Sequence, residues 1–338
     1  MIKEILILTT RQLTPAFQEY IRYKSEQGEG KPGFTVKCLT VEEIPGWNPE
    51  KTPAEKAELI KTQVMNQVPA KSYVIIGGKL DDVPSFIYHT DGKCFYVSDC
   101  EYAKRDNGSM TFSISRIPFN NVNDISMVCD NFIGYMPKEW GNILLVADSS
   151  SIGADNFVES MKRKLQIGTV ATMKRSNIDK GGDIEDIKRL EDNIINFGLI
   201  FYTGHANPLY WNYSFIPSAS LNGGVYFDKD KIPPLPLLPN ILCFACGTSA
   251  FQIPKNECIG ADFLRKGAVN YWGASYISYQ SCNRAMMGRA IDCLNGNHAM
   301  TVGELQMEMM NYLISMKRGA DVKQYLLFGD PTLQMFRQ

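Results

Sequence analysis

Three segments of the 338-residue chain end in side chains that can do chemistry. Asn142-Ile-Leu-Leu-Val-Ala-Asp148 closes on a carboxylate, Leu199-Ile-Phe-Tyr-Thr-Gly-His205 on an imidazole, and Ile241-Leu-Cys-Phe-Ala-Cys246 on a thiol followed by Gly247-Thr248. Each reads as a short buried strand, and open α/β sheets gather functional groups just beyond the carboxyl ends of their strands. A thiol becomes a thiolate near neutral pH when a base stands beside it, and a carboxylate can orient that base. Cys246, His205 and Asp148 fit those three roles. The chain has only three histidines, at 89, 205 and 298, so one at a glycine-flanked strand end is informative. The plain alternatives are a cysteine acting as a small buried hydrophobe and a solvated strand-end carboxylate.

Other chemistries have less support. Cys243 and Cys246 form a CxxC, but Cys243 lies inside a strand, where residues three apart point to opposite faces, whereas redox motifs open a helix. Zinc would need a second ligand pair, and no loop has calcium-ligand spacing, so neither metal nor cofactor is expected. Gly77-Gly78 and Gly181-Gly182 match no phosphate-binding pattern and read as turns. Gly329-Asp330-Pro331 reads as a tight turn, and Ile232-Pro-Pro-Leu-Pro-Leu-Leu-Pro239 as an extended connection into the next strand.

The positioning elements follow from the hydrophobic pattern. Strands are expected at 5–10, 34–39, 73–76, 94–97 and 111–114, then at 143–147, 168–173, 199–202, 241–245 and 268–271. Helices are expected at 15–26, 53–67 and 123–135, then at 155–165, 183–196, 258–266, 284–294 and 302–316. This alternation builds parallel sheets covered by helices on both faces. A linker at Met136-Pro137-Lys138-Glu139 divides the chain into an N-terminal α/β subdomain, 1–138, and a second, 139–338, that carries the three reactive ends.

A 44% hydrophobic content allows a large core, and Lys+Arg 35 against Asp+Glu 36 gives a net charge of -1. That balance offers no general basic field for nucleic acid or membrane surfaces. The apolar start is too short to span a membrane and lacks a cleavage site. Nine cysteines, an odd number lying mostly in apolar stretches, suit free thiols, so a cytoplasmic location is expected.

Two boxes are specific. Tyr202-Thr-Gly-His-Ala206, followed by Trp211, and Phe244-Ala-Cys-Gly-Thr248 resemble the His-box and Cys-box of the gingipain-type cysteine peptidases. Lys24, Val83-Pro84, Ser98-Asp99 with Tyr102, Ser115-Arg-Ile-Pro118 and Leu327-Phe-Gly-Asp-Pro-Thr-Leu333 agree in order along the chain. The resemblance implies a caspase-like α/β fold of two αβα sandwich subdomains with mainly parallel sheets. It also implies a cysteine endopeptidase acting on polypeptides through a thioester.

In that reading Cys246 is the nucleophile, His205 the general base and acid, and Asp148 the acidic third member. The backbone N–H groups of Cys246 and Ala206 would hold the oxyanion. Ala206 stands where the family usually has glycine, which would be costly if the position needs a positive φ. Basic side chains at P1 would meet Glu159 or Asp155, and Thr203, Tyr276 and Tyr279 would form further substrate-binding walls. The rival from another class is a catalytically silent scaffold of the same fold.

Overall fold

Alternation along the strands sorts the apolar residues into two layers. Leu6 and Leu8 join one buried cluster and Ile5 and Ile7 the other, as the period of two in a strand requires. The computed structural model describes residues 4–28, 31–90, 94–105, 108–137, 141–148, 153–174, 182–212, 226–253, 257–297 and 299–337.

The strands of the first half are β1 (Glu4–Thr9), β2 (Thr35–Thr40), β3 (Tyr73–Gly77), β4 (Phe86–Thr90), β5 (Cys94–Ser98) and β6 (Ser113–Ile117). Those of the second are β7 (Asn142–Ala147), β8 (Thr169–Met173), β9 (Leu199–Thr203), β10 (Ala206–Asn207), β11 (Tyr210–Trp211), β12 (Phe227–Asp228), β13 (Asn240–Phe244), β14 (Asn270–Ala274) and β15 (Tyr325–Gly329). The helices are α1 (Gln18–Ser25), α2 (Pro53–Gln67), α3 (Val122–Gly134), α4 (Ala154–Lys164), α5 (Gly182–Ile194), α6 (Ile259–Arg265), α7 (Gln280–Gly296), α8 (Val302–Ser315) and α9 (Gly319–Val322). Where caps are strong the sequence bounds hold. Thr52 and Glu55 close a capping box ahead of α2 with Pro53 at its first position, and Thr301 with Glu304 does the same for α8.

Both halves share one sheet, in the order β2-β1-β3-β6-β15-β14-β13-β9-β7-β8. Helices α2, α4, α7 and α8 bury their apolar stripes on one face, and α1, α3, α5 and α6 on the other. The seam is β15, antiparallel to β14 and parallel to β6. The parallel strands of the first half therefore run opposite to those of the second, and their carboxyl ends lie on the other rim. The carboxyl ends of β8, β7, β9, β13 and β14 lie on one edge.

The sequence reading lacked β4, the short strands β10, β11 and β12, helix α9 and, most consequentially, β15. Its five apolar residues read as the approach to a turn, because the pairing that defines them, with β14 and β6, is remote in sequence. The segment 15–26 also differs, opening with a 3-10 turn at Thr14–Phe17 before α1. The linker residues Lys138 and Glu139, and Gly181, lie outside the described residues.

The secondary motifs of the resemblance are structural anchors. Lys24 on α1 pairs with Asp330 at 2.9 Å and donates to Thr332 at 2.7 Å, all three being buried. Arg116, fully buried at the end of β6, donates to both carboxylate oxygens of Asp99 at 2.8 Å and to the carbonyls of Gly78 and Val83. Such a charge is tolerable only because its donors are satisfied, and removing Asp99 would leave it uncompensated, at about 3–5 kcal/mol. Among the described residues no helix is long and apolar enough to cross a membrane.

Candidate active site

Neighbouring strands β7, β9 and β13 are parallel and level at their ends. Ala147 and Phe244 both stand opposite Thr203. Asp148 follows directly on β7, His205 lies two residues past β9, and Cys246 two residues past β13. The sheet thus brings the three predicted groups to one rim.

The backbone of His205 is clamped on both sides. Its N–H donates to Asp148 Oδ2 at 2.9 Å, and its carbonyl accepts from the Tyr202 hydroxyl at 2.6 Å and from the Asn212 N–H at 3.0 Å. Tyr202 is buried and stacks on Trp211 at 4.5 Å, so the donor itself is held. Burial and the Asp148 charge both push the Tyr202 hydroxyl up, keeping its proton for this bond. Asp148 is 1% exposed, and its own N–H donates to the Thr203 carbonyl. The bond that joins Asp148 to His205 fixes the main chain, a different task from the imidazole-orienting role that the resemblance implies. Gly204 permits this approach. It has φ +152°, and a Cβ there would lie 2.2 Å from Asp148 Cβ.

Cys246 is partly exposed, and among the described residues the hydrogen bonds of its sulfur all involve Ser278. The thiol donates to the Ser278 carbonyl at 3.5 Å, and the sulfur receives the Ser278 N–H at 3.3 Å and hydroxyl at 3.7 Å. Among the described residues no hydrogen bond joins it to the His205 ring. Cys243 lies in the opposite layer, packed with Tyr202, Trp211 and Tyr271. Burial pushes its thiol up to about 12. Both cysteines are free, and their separation to two sides of the strand end removes the basis for a redox pair.

Two cavities meet at Cys246. One, of about 560 Å³, is walled by Thr203, Gly204, His205 and Phe244 on one side and by Ser278, Tyr279, Gln280 and Asn283 on the other. The second, of about 380 Å³, is apolar and includes Ala206, Pro208, Ala250, Ile253 and Tyr276. Tyr276 is steadied by stacking on Tyr96 at 6.0 Å and by accepting from Thr90 Oγ1, so the β4–β5 hairpin props this wall. Thr203, Tyr276 and Tyr279, the expected substrate-binding residues, all line these cavities.

Ala206 adopts no positive φ. It pairs with Trp211 in the β10–β11 hairpin, and the bond from Asn212 N–H to the His205 carbonyl makes this a non-hydrogen-bonded pair. Its N–H is thereby directed away from β11, so alanine serves there without backbone strain.

Glu159 is not brought to these cavities. It pairs with Lys174 at 2.7 Å and accepts from Thr172 on the edge strand β8, and the Lys174 contact holds its carboxyl below the usual range. Asp155 lies in the first turn of α4 and does not line either cavity. Ser278, Asn283 and Tyr325 escaped the sequence reading, and Tyr202 and Gly204 were in its His-box without a role of their own. Tyr202 and Gly204 had a signal, standing three and one residues before the histidine, while Ser278 and its supports come from distant segments.

A family model described as peptidase family C25 matches residues 2–336. This chain belongs to peptidase family C25. It is a cysteine-type peptidase, and polypeptides are its substrate class. Among solved structures, the Arg-specific cysteine proteinase gingipain R superposes with a TM-score of 0.76 at 17% identity, covering 98% of this chain and 78% of that one. The pro- and mature domains of the Porphyromonas gingivalis enzyme give 0.75 at 16% identity, covering 98% and 79%. The C25 chain thus has the caspase-like α/β fold that the two boxes suggested. No curated protein matches it.

Proposed function

We propose that this C25 peptidase cleaves internal peptide bonds with Cys246 as nucleophile and His205 as general base and acid. The observation that carries the reading is that thiol and imidazole line one cavity at the ends of adjacent parallel strands. His205 takes the thiol proton, and the sulfur attacks the scissile carbonyl carbon. The developing oxyanion is received by the N–H groups of Ala206 and Cys246, donors set by the backbone and needing no reorganisation. His205 then returns the proton to the leaving amine, and water hydrolyses the thioester. Asp148 supports the step by holding the His205 main chain.

A basic P1 side chain is part of the proposal, because gingipain R is Arg-specific. Glu159 is engaged by Lys174 and Asp155 lies in the first turn of α4 outside both cavities, so the basic P1 class is proposed without assignment to either carboxylate. A positional library of fluorogenic peptides, with wild type and Cys246→Ala compared, tests the whole reading. Cleavage by wild type alone supports the nucleophile, and selectivity for Arg or Lys supports the basic P1 preference. No cleavage, together with no labelling of Cys246 by a peptidyl acyloxymethyl ketone, overturns the reading.

A further inference from the structure

The sulfur of Cys246 is surrounded by one residue that no sequence pattern marked. Ser278, in the segment after β14, is 8% exposed and aims both its N–H and its hydroxyl at that sulfur. The hydroxyl has its own support. Asn283 Nδ2, on α7, donates to Ser278 Oγ at 2.9 Å, and the Tyr325 hydroxyl, on β15, donates to Asn283 Oδ1 at 2.7 Å. All three side chains are buried, and Tyr325 is held flat against Trp272, with ring planes 4° apart.

Donor and acceptor bookkeeping fixes the direction of this chain. A phenol buried this deeply keeps its proton and must place it on an acceptor, which turns the Asn283 carbonyl oxygen toward Tyr325. The amide N–H groups then face Ser278, whose oxygen accepts one of them. The remaining Ser278 proton has two acceptors beside it, the Cys246 sulfur at 3.7 Å and the Tyr325 hydroxyl oxygen, and a negative charge on the sulfur favours the former.

We propose that Ser278 is a catalytic residue that stabilises the Cys246 thiolate through its N–H and hydroxyl, with Asn283 and Tyr325 as positioning residues that set the direction of the hydroxyl. The proposal deepens the peptidase reading and rests on Cys246 acting as a thiolate. In the resting thiol, the S–H donates to the Ser278 carbonyl. On activation that proton moves to a His205 ring nitrogen, the sulfur keeps the electron pair, and the two Ser278 donors remain protonated while they hold the negative charge. Bonds to an ionised partner are shorter and about twice as strong as neutral ones, so both contacts tighten when the sulfur ionises. The strand that joins the two halves of the sheet thereby reaches the reacting atom through three side chains. The other titratable groups around the sulfur are His205, Tyr276 and Tyr279 in the cavity walls, Cys243 on the same strand, and Tyr325 itself.

The test is the pH dependence of Cys246 alkylation by iodoacetamide in the full chain, followed by mass spectrometry, for wild type, Ser278→Ala, Ser278→Thr and Tyr325→Phe. Loss of a donor to the thiolate raises the thiol pKa. Ser278→Ala is expected to raise it by about one unit, cutting the thiolate fraction near pH 7 about tenfold. The acid limb of kcat/KM would move up by the same amount. Ser278→Thr keeps the hydroxyl and should stay near wild type, while Tyr325→Phe should shift the pKa in the same direction by less. A folded Ser278→Ala with the wild-type alkylation profile overturns the proposal, as does a fall in cleavage without a pKa change, which would make Ser278 a substrate-shaping residue. Should Ser278→Ala fail to fold, Tyr325→Phe decides alone, and an unchanged profile there is equally fatal. Alkylation needs no peptide, so failure of the peptidase reading would appear separately, as absent cleavage with the pKa shift intact.

Discussion

Replacing Gly204 by alanine asks the most of the site for a single methyl group. The added Cβ would lie 2.2 Å from Asp148 Cβ and 3.2 Å from its Cα and Cγ, about 1.2 Å short of the 3.4 Å at which ordinary contact begins. The obstructing atoms belong to the main chain and the root of the side chain, so no rotamer relieves the clash, and the ends of β7 and β9 must part. Two bonds span that gap, Asp148 N–H to the Thr203 carbonyl and His205 N–H to Asp148 Oδ2. An L-residue in the positive-φ region costs about 1–2 kcal/mol, and loss of a charge-assisted hydrogen bond about 1.5–3 kcal/mol. The sum is about 3–5 kcal/mol. At ~2.1 cal/mol/K per residue over the chain this lowers Tm by about 4–7 °C. Displacing His205 by about 1 Å should reduce kcat/KM about 100-fold. Thermal unfolding and peptide cleavage measured on the same preparation check both numbers. A Gly204→Ala protein with wild-type Tm and kcat/KM would refute the claim that the Asp148–His205 contact organises the site.

Three further outcomes are expected. Asp148→Asn keeps an oxygen for the His205 N–H, so kcat/KM should fall only about tenfold; a loss near the ~10⁴ seen when an imidazole-orienting carboxylate is amidated would place Asp148 in that other role. Alkylation mapped by mass spectrometry at pH 7.5 should modify Cys246 and spare Cys243 and Cys258, whose thiols burial pushes up to about 12; rapid labelling of Cys243 would contradict its place in the core. Stability should fall on the alkaline side, because Cys100, at about 11, and Cys243 and Cys258 stay protonated in the fold while the unfolded chain releases those protons above pH ~8.5. The unfolded state then binds fewer protons, so the stabilisation is full below that pH and is lost toward pH 11–12, at up to about 1.4 kcal/mol per thiol per pH unit. Denaturation midpoints at pH 8, 9 and 10 read this, and a flat profile would be inconsistent with it.

The alternating strand and helix pattern and the reactive ends at Asp148, His205 and Cys246 were legible in the sequence because they depend on local periodicity and on residue type. So was the separation of Cys243 from Cys246, a consequence of strand geometry alone. Tertiary structure decided the rest. β15 becomes a strand only through partners far along the chain, and its antiparallel pairing with β14 reverses one half of the sheet against the other, so that the carboxyl ends of the second half gather on one rim and those of the first half on the opposite one. Asp148 meets the main chain of His205 because Gly204 lets β7 and β9 close to contact. Glu159 turns to Lys174 because β8 is the neighbouring edge. The surroundings of the Cys246 sulfur, assembled from the segment after β14, from α7 and from β15, come from segments that no spacing rule connects, since what brings them together is burial of the two apolar layers.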